Sequence, residues 1–479
     1  MNDITIVTIP RRFKGSSFHD AAQLPEALGR LKSVVEQAGF SCFTLDLSIK
    51  YFRKAFVRQD VFYEIEKWLV DCMKQPWIDK PLHEHTRKFW DDMLDYWCDE
   101  IAKSKPQWLG VSIFADECTK AAYDLCTRLR QKSPEIKIVL GGFAVQNGVG
   151  RRDNKGYRTG DLFRDKNLCD GFIVGEGDYA LVEFLNGNLN YPGINAYNAK
   201  QIVDLTNLPF ADYTDLNFNE YVLPNPDDLN KPYRPVIVIT QSRGCPMPCT
   251  FCEVKYYHSR NANTKRLKVM LEHLIEWQEA NNVQFEFSSM FIILSKEKFP
   301  EEMFPLLKRA GFYSCIYGVE TGSQEVRDAM RKMYKEEDLY YTIDMCLKYG
   351  IEPGCMIIVG YPAETEADFQ KTLDLLRHYA PTGRPEDAEM DDLKNGMFTI
   401  TPMMIEVYSD VNQNPDEFGI QIDMTKEYDE WDSGYCTYRD AAKRALIAWK
   451  LLEELGYVVN DTERGIKNSG AEWEKIIQS

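Results

Sequence analysis

The chain has 479 residues, enough for two or three domains, and 44% of them are hydrophobic while 27% are charged. The formal net charge of −17 argues against a general electrostatic grip on nucleic acid, which needs clustered Lys and Arg. No apolar run approaches the roughly 20 residues of a membrane-spanning helix, and the N-terminus lacks the features of a secretion signal, so we expect a cytoplasmic protein.

The first half of the chain alternates short apolar strands with helical patterns. The strands are predicted over residues 3–10, 41–47, 108–114, 137–145 and 170–178. A helical pattern follows the first strand and is predicted to stop at Gly39. Such alternation is typical of a parallel, doubly wound sheet, so we expect residues 1–188 to form a Rossmann-like domain.

An aromatic segment over about residues 50–106 lies between the second and third predicted strands. It carries four tryptophans at helical spacing, Trp68, Trp77, Trp90 and Trp97. The simpler interpretation is a set of helices whose aromatic faces pack on the sheet or on another domain. The alternative is a role in binding the substrate.

A second α/β series follows a segment typical of a linker. Residues 189–235 are rich in Pro, Asn and Asp and have no sustained period. A strand is predicted over 236–240, and the series continues through "QFEFSS", "CIYGVETGS" and "GCMIIVGYP". We expect 236–396 to form one domain. Residues 397–479, with strand-like "MFTITPM" and a long helix, are expected to form a small C-terminal α/β or helical domain on the substrate side.

Three of the thirteen cysteines are clustered, whereas most of the others stand singly in apolar segments, as reduced thiols do. Cys245, Cys249 and Cys252 lie in "SRGCPMPCTFCE", directly after the predicted strand. A closed structural zinc site needs a fourth ligand, which His258 or a distant residue would have to supply. Three thiolates can instead bind three irons of a [4Fe–4S] cluster and leave the fourth iron open to a ligand.

The stretch "GCPMPCTFC" resembles the cluster loop of the radical S-adenosylmethionine (radical SAM) enzymes, with Phe251 as the aromatic residue before the third cysteine. In that family the open iron is chelated by the amino and carboxylate groups of S-adenosylmethionine. One electron from the cluster then cleaves the sulfonium to methionine and a 5′-deoxyadenosyl radical, while the protein orients the reactants. The resemblance implies a [4Fe–4S] cluster, S-adenosylmethionine and an electron donor such as flavodoxin or ferredoxin.

Two later stretches are similar to further parts of the radical SAM barrel. "YGVETGSQEVRDAMRK" resembles the strand that ends in Gly-x-Glu, so Glu320 and Ser323 would face S-adenosylmethionine. "GCMIIVGYPAETEADF" resembles the strand whose backbone flanks the adenine, with Gly360, Pro362 and Glu364 in matching places. The interval between the cysteines and the Gly-x-Glu strand is shorter than is usual in the family, so we expect a partial (β/α) barrel.

A doubly wound domain ahead of this barrel resembles the cobalamin-binding-domain class of the superfamily. "SIF" and "GG", separated by residues 115–140, match the spacing of that fold, and "VGEGD" resembles its last strand and turn, although Asp-x-His-x-x-Gly is absent. Small residues let a flat corrin lie against strand ends. The residues that the resemblance assigns to cobalamin are Ser112, Phe114, Gly141, Gly142, Phe143, Gly175, Glu176 and Gly177.

Three functions stay open at this point. The first is a cobalamin-dependent radical C-methyltransferase that acts on a peptide or a small molecule. The second is a corrin-free radical SAM epimerase, rearrangement or cyclisation enzyme, in which Cys315 or Cys355 would donate a hydrogen atom; both can also be buried as small hydrophobic side chains. The third is a non-catalytic interaction module that binds iron–sulfur or zinc.

Overall fold

The structure is a computed structural model with two compact units, Met1–Thr240 and Gln241–Ser479. The residues that it describes are 2–10, 21–149, 157–205, 207–224, 232, 235–238, 243–252, 264–406, 409–423 and 430–458. None of the helices in these ranges combines the length and the hydropathy that a bilayer crossing requires.

The first unit is built on a parallel sheet of five strands. Its strands are β1 (Asn2–Thr8), β2 (Cys42–Asp46), β3 (Pro106–Ser112), β4 (Lys137–Gly141) and β7 (Gly171–Phe172). Their order is β2-β1-β3-β4-β7, and each neighbouring pair is parallel. A separate antiparallel pair is formed by β5 (Gly148–Val149) and β6 (Tyr157–Arg158). The predicted doubly wound fold is confirmed, because this is one of the two common strand orders of such sheets.

Helices connect these strands and supply the rest of the core. They are α1 (Glu26–Gln37), α2 (Leu47–Ala55), α3 (Gln59–Cys72), α4 (Glu84–Lys103), α5 (Thr119–Lys132), α6 (Thr159–Asp165) and α7 (Gly177–Leu185). Helix α1 buries an apolar stripe that includes Leu28 and Val35. It ends before Gly39, which has a φ of +93° and so adopts the left-handed backbone that glycine tolerates.

The aromatic segment forms α2, α3 and α4, and three of its four tryptophans are buried in the main core. The ring of Trp90 makes edge contacts with those of Trp68 and Trp97, with centroid distances of 5.5 and 5.6 Å. Trp77 is 41% exposed. The structure therefore supports the simpler interpretation, packing, for the three buried tryptophans, since aromatic pairs of this geometry are a large part of core energetics.

The described part of residues 189–235, predicted as a linker, is packed onto the first unit through polar contacts. The Tyr221 hydroxyl donates to Asp46 Oδ2 at 2.7 Å, and Asp215 pairs with Lys32 of α1 at 2.9 Å. Apolar side chains of the segment are buried in the core of the first unit as well, among them Ile194, Tyr221 and Leu223.

The second unit contains a four-stranded parallel sheet in the order β11-β10-β9-β8. The strands are β8 (Phe287–Phe291), β9 (Phe312–Glu320), β10 (Glu352–Val359) and β11 (Phe398–Pro402). Its helices are α8 (Thr264–Asn281), α9 (Met303–Ala310), α10 (Gln324–Ala329), α11 (Glu336–Lys348), α12 (Glu366–His378), α13 (Ala388–Lys394), α14 (Asp410–Gln413) and α15 (Tyr438–Glu454). A short antiparallel pair is formed by β12 (Gln421–Asp423) and β13 (Glu430–Asp432). An open parallel sheet with helices is the partial barrel that we expected.

Two strands differ from the sequence prediction. Strand β11, which we placed in the C-terminal domain, pairs in parallel with β10, so it extends the barrel sheet. The strand predicted over 236–240 is wrong for the described residues 236–238: Val236 makes a single parallel bridge with Gln23 of the first unit. Residues 239 and 240 lie outside the description. An apolar β-branched run indicates a strand but does not indicate its partner.

We expect the Tyr221→Phe variant to lose about 1.5 to 3 kcal/mol of unfolding free energy, because the buried Asp46 carboxylate loses one of its donors. The matched control is Tyr213→Phe in the same segment. The Tyr213 hydroxyl is buried and has no partner among the described residues, so its removal is expected to cost little. Urea unfolding followed by circular dichroism measures both, and equal losses would contradict the prediction.

Candidate functional site

The three-cysteine loop is described over residues 243–252. Cys249 is buried, whereas Cys245 and Cys252 are half-buried. The Cys252 N–H donates to the Cys249 carbonyl at 3.3 Å, in a turn that brings these two positions together. Phe251, inside this turn, packs against the apolar core of the second unit. The thiols therefore lie on a backbone that a turn and an aromatic side chain hold in place.

The pKa of the Cys249 thiol responds to several charged or ionisable neighbours. Burial raises the pKa of the Cys249 thiol to about 11, and the nearby Lys332 cation lowers it. Charges on Glu320, Cys252 and Cys245 raise it further. Across the described ranges, however, no group of three or more His, Cys, Asp or Glu side chains is arranged to hold a metal ion. The thiols thus influence one another, but the described side chains do not form a complete set of metal ligands.

Glu320 lies at the end of β9 with a backbone φ of +67°. A residue other than glycine rarely adopts this conformation, and such strain is concentrated at functional sites. The carboxylate is buried and pairs with Lys332 Nζ at 2.7 Å. Burial raises the pKa of Glu320, and Lys332 lowers it. A Cβ on Gly318 would come within 2.4 Å of Glu320 Oε1, so the glycine makes room for this pair.

Lys332 is a residue that the motif comparison did not identify. Its ammonium donates to the Gly318 carbonyl at 2.9 Å and lies 5.8 Å from the centroid of the Phe251 ring, within cation–π range. The available sequence signal was the basic pair Arg331–Lys332. It does not tell which of the two residues turns inward, and the structure assigns that place to Lys332, which is almost buried.

Ser323 lies in the loop after β9 and is completely buried. Its hydroxyl lies 2.7 Å from Asp368 Oδ1, in the first turn of α12, and 2.8 Å from Glu325 Oε2. These contacts join the loop to two helices. The side chain is therefore occupied with protein partners, and its assignment to S-adenosylmethionine stays a prediction.

The loop after β10 lies close to helix α15. Gly360 has a φ of +80°, and a Cβ there would lie 2.2 Å from Ala441 Cβ, so only glycine permits the approach. Two residues later, the Pro362 carbonyl accepts a hydrogen bond from the Ser433 hydroxyl at 2.6 Å. The backbone at Gly360 and Pro362, which the resemblance assigns to the adenine, therefore contacts Ala441 and Ser433 of the C-terminal segment.

Glu364, which we also assigned to S-adenosylmethionine, is completely buried. Its carboxylate accepts the Gly360 N–H at 2.6 Å and pairs with Arg444 at 2.9 Å. Burial raises the pKa of Glu364 to about 7, against the opposing charge of Arg444. In this geometry Glu364 acts on the loop through the Gly360 backbone, and its side chain offers no surface to a ligand.

Cys315 and Cys355, the hydrogen-atom donors of the epimerase alternative, are almost completely buried in the core. A hydrogen bond with Cys346 of α11 and burial raise the pKa of Cys315, and burial raises that of Cys355. Such surroundings are those of small hydrophobic side chains. The structure therefore gives no support to either thiol as a hydrogen-atom donor.

The residues assigned to cobalamin lie where three neighbouring strands of the first unit end. Ser112 is the last residue of β3, Gly141 is the last of β4, and residues 175–177 follow β7. Phe114 and Phe143 come just after β3 and β4 and are 62% and 39% exposed. The carboxyl ends of adjacent parallel strands meet at one edge of a sheet, where α/β folds bind ligands. The predicted set is therefore gathered at this edge, with two uncovered aromatic side chains.

The glycines of this edge are required by the backbone. Gly142 has a φ of +99°, and a Cβ there would lie 2.4 Å from the Ile113 carbonyl oxygen. Gly175 has a φ of +83°, and a Cβ there would lie 2.7 Å from that of Ala199. The Glu176 carboxylate accepts a backbone N–H from the following segment at 2.6 Å. The glycine turns at Gly142 and Gly175 therefore lie at the same sheet edge as the exposed rings of Phe114 and Phe143.

The comparison with protein families identifies one domain. The family model described as "Radical SAM superfamily" matches residues 288–376, which run from β8 into α12. This stretch of the second unit thus matches a radical SAM domain. The match favours a [4Fe–4S] cluster and S-adenosylmethionine as cofactors, and it favours an enzyme over the non-catalytic alternative.

Relatives and solved structures agree with this domain. The hopanoid C-2 methylase of Rhodopseudomonas palustris is 23% identical over 50% of this chain and 47% of its own length. The chain spans about half the length of the curated relatives it matches, and methylthiotransferases are among them.

Two solved structures share the fold. The cobalamin-dependent radical enzyme OxsB, with aqua-cobalamin bound, has a TM-score of 0.57 at 12% identity and covers 100% of this chain and 71% of its own. The radical methyltransferase TsrM from Kitasatospora setae, with cobalamin and a [4Fe–4S] cluster bound, has a TM-score of 0.53 at 14% identity and covers 88% and 77%. At these identities the likeness extends to the fold alone.

We expect the Lys332→Met variant to lose about 3 to 5 kcal/mol of unfolding free energy, because it leaves the buried Glu320 carboxylate without its cation. The matched control is Lys371→Met, which breaks the 2.6 Å pair with the exposed Glu325 and is expected to cost much less, because solvent screens that pair. Urea unfolding at neutral pH measures the two losses. Similar losses in the two variants would contradict the prediction.

Proposed function

We propose that the chain is a cobalamin-dependent radical SAM C-methyltransferase that acts on a peptide or a small molecule. The observation that carries the proposal is the combination of two features in one chain. One is a three-cysteine loop beside a buried, strained Glu320. The other is a doubly wound unit whose strand ends carry close glycine turns and exposed aromatic rings.

The residues of the second unit fit the cluster and S-adenosylmethionine by their chemistry. Cys245, Cys249 and Cys252 would bind three irons, and the fourth iron would take the amino and carboxylate groups of S-adenosylmethionine. When bound, the cluster supplies one electron that breaks the C5′–S bond of S-adenosylmethionine, giving methionine and a 5′-deoxyadenosyl radical. Glu320, a buried acceptor held by Lys332, suits the N–H groups of the S-adenosylmethionine amino group.

The first unit fits a corrin at the carboxyl edge of its sheet. A flat, largely apolar macrocycle needs strand ends without protruding side chains, and Gly142 and Gly175 provide them. Phe114 and Phe143 offer apolar surface at the same edge. The corrin would carry the methyl group that the substrate carbon receives after the radical has removed its hydrogen atom.

Net charge supports the proposed substrate class. A net charge of −17 disfavours tRNA and other nucleic acids, since their binding depends on cationic surfaces. Binding of a peptide or small molecule does not depend on a cationic surface in this way. TsrM, which has a similar fold, has been solved with its tryptophan substrate bound. The electron donor is expected to be a small redox protein such as flavodoxin or ferredoxin.

Sulfur insertion is a second candidate, because methylthiotransferases are among the relatives. Corrin binding separates the two candidates, since the C-methyltransferase proposal requires a corrin at the strand ends of the first unit. A corrin-free rearrangement enzyme would likewise show no corrin spectrum.

We expect the anaerobically reconstituted chain to bind a [4Fe–4S] cluster and to release 5′-deoxyadenosine from S-adenosylmethionine under strong reductant. Cys249→Ala removes one ligand and is expected to abolish both properties. Cys346→Ala removes a buried thiol of the core and is the control that keeps its cluster. Iron and sulfide analysis and chromatography of the nucleoside measure the result. A wild-type chain that retains iron but leaves S-adenosylmethionine intact would refute the proposal.

We expect the chain to bind hydroxocobalamin with a shifted corrin spectrum, and the Phe114→Asp variant to bind it about tenfold more weakly or worse, because a charge replaces exposed apolar contact area. Val57→Asp changes an exposed apolar residue between α2 and α3 and is the control. Spectrophotometric titration gives the dissociation constants. Absence of corrin binding to the wild type, or equal weakening in both variants, would contradict the assignment.

A further inference from the structure

Thr250 is the residue of the cysteine loop with the most fixed position. It stands between Cys249 and Cys252 and is completely buried. Its N–H donates to the Met330 carbonyl at 3.1 Å, and its own carbonyl accepts the Val411 N–H at 3.1 Å. Both backbone groups of one short loop residue are therefore paired with segments distant in the sequence.

The Thr250 side chain makes a third connection, to Tyr361 after β10. The Tyr361 hydroxyl lies 2.8 Å from Thr250 Oγ1 and 3.1 Å from the Ala329 carbonyl oxygen. A carbonyl only accepts, so the single phenolic proton goes to Ala329, and the Thr250 hydroxyl must then donate to Tyr361. Tyr361 is almost completely buried, which keeps water from replacing either bond.

The three connections tie the loop to three different parts of the unit. Met330 and Ala329 lie at the end of α10, Tyr361 follows β10, and Val411 belongs to α14. Because α10 follows β9, the clamp joins the cysteine loop to the segments that follow two central strands of the sheet. We name this set of contacts around Thr250 the loop clamp.

We propose that Tyr361 is a positioning residue for the iron–sulfur cluster, acting through Thr250 on the two cysteines that flank it. The inference rests on the proposed function, since it presupposes that the loop binds a cluster. Thr250 is the immediate neighbour of Cys249 and lies two residues before Cys252, so a shift of its backbone moves both sulfurs. Metal sites tolerate ligand displacements of only about 0.5 Å.

The clamp predicts how tightly the cluster is retained. Without the phenolic hydroxyl, the Thr250 hydroxyl loses its buried acceptor and the loop gains freedom. The Tyr361→Phe variant loses two hydrogen bonds, the one from Thr250 and the one to the Ala329 carbonyl. We expect the reconstituted variant to release iron to a chelator about threefold to tenfold faster than the wild type. We also expect a changed electron paramagnetic resonance spectrum of the reduced cluster, which general stability does not produce.

Four further variants separate positioning from stability. Thr250→Val removes only the bond that Thr250 and Tyr361 share, so it should also accelerate iron release, by no more than Tyr361→Phe does. The double variant should be no worse than Tyr361→Phe, because the two residues share that interaction. Thr250→Ser retains the hydroxyl and should restore wild-type iron release. Tyr457→Phe, which loses a buried 2.8 Å bond to the Leu376 carbonyl, is the matched control and should release iron at the wild-type rate.

The outcomes distinguish this inference from the proposed function. A wild-type chain that takes up a cluster, with Tyr361→Phe and Thr250→Val showing wild-type release rates and spectra, overturns the inference alone. Equal acceleration in Tyr457→Phe also overturns it, because the effect would then be one of stability. A wild-type chain that takes up no cluster overturns the inference and the proposed function together.

Discussion

Parallel strands bring their carboxyl ends to one edge of a sheet, and both candidate sites depend on this constraint. In the first unit, residues near positions 112, 142 and 175 meet because β3, β4 and β7 are neighbours. In the second, Glu320 and Gly360 follow β9 and β10, which pair directly. The chain between strand ends can then vary in length, since helices carry it back along the sheet. Candidate functional residues that are distant in the sequence are thereby brought together, although no sequence motif spans them.

The second site combines charge with burial, and its energetic balance is delicate. Taking Glu320 and Lys332 out of water costs several kcal/mol per ion, which their 2.7 Å contact and the Gly318 carbonyl partly offset. The positive φ of Glu320 adds local strain. Such an arrangement contributes little to stability, so we interpret it as retained for binding: a carboxylate held ready, with its orientation set, needs less reorganisation when a cationic group arrives.

Burial separates the cysteines into two groups. Cys315 and Cys355 lie in the core beside Cys346, where burial disfavours the thiolate that metals and redox partners require. Cys245 and Cys252 are only half-buried. Cys249 is buried, which raises the pKa of its thiol, and the nearby Lys332 cation partly opposes that rise. The loop clamp around Thr250 holds the backbone between two of these thiols. Accessibility, a nearby positive charge and a fixed backbone are the three conditions that a ligand loop has to meet.

The sequence by itself determined the doubly wound class, the cysteine loop and most of the strands, because hydrophobic periodicity and close cysteine spacing are local properties. The partial barrel was implied by the resemblance to the radical SAM family. Only the tertiary structure decided the rest. It turned Lys332 inward rather than Arg331, buried Glu364 against Arg444 and paired Val236 with Gln23. It also packed the segment predicted as a linker onto α1 and β2. Each of these outcomes depends on which polar group finds a partner distant in the chain, and pairing of that kind leaves no periodic trace in the sequence.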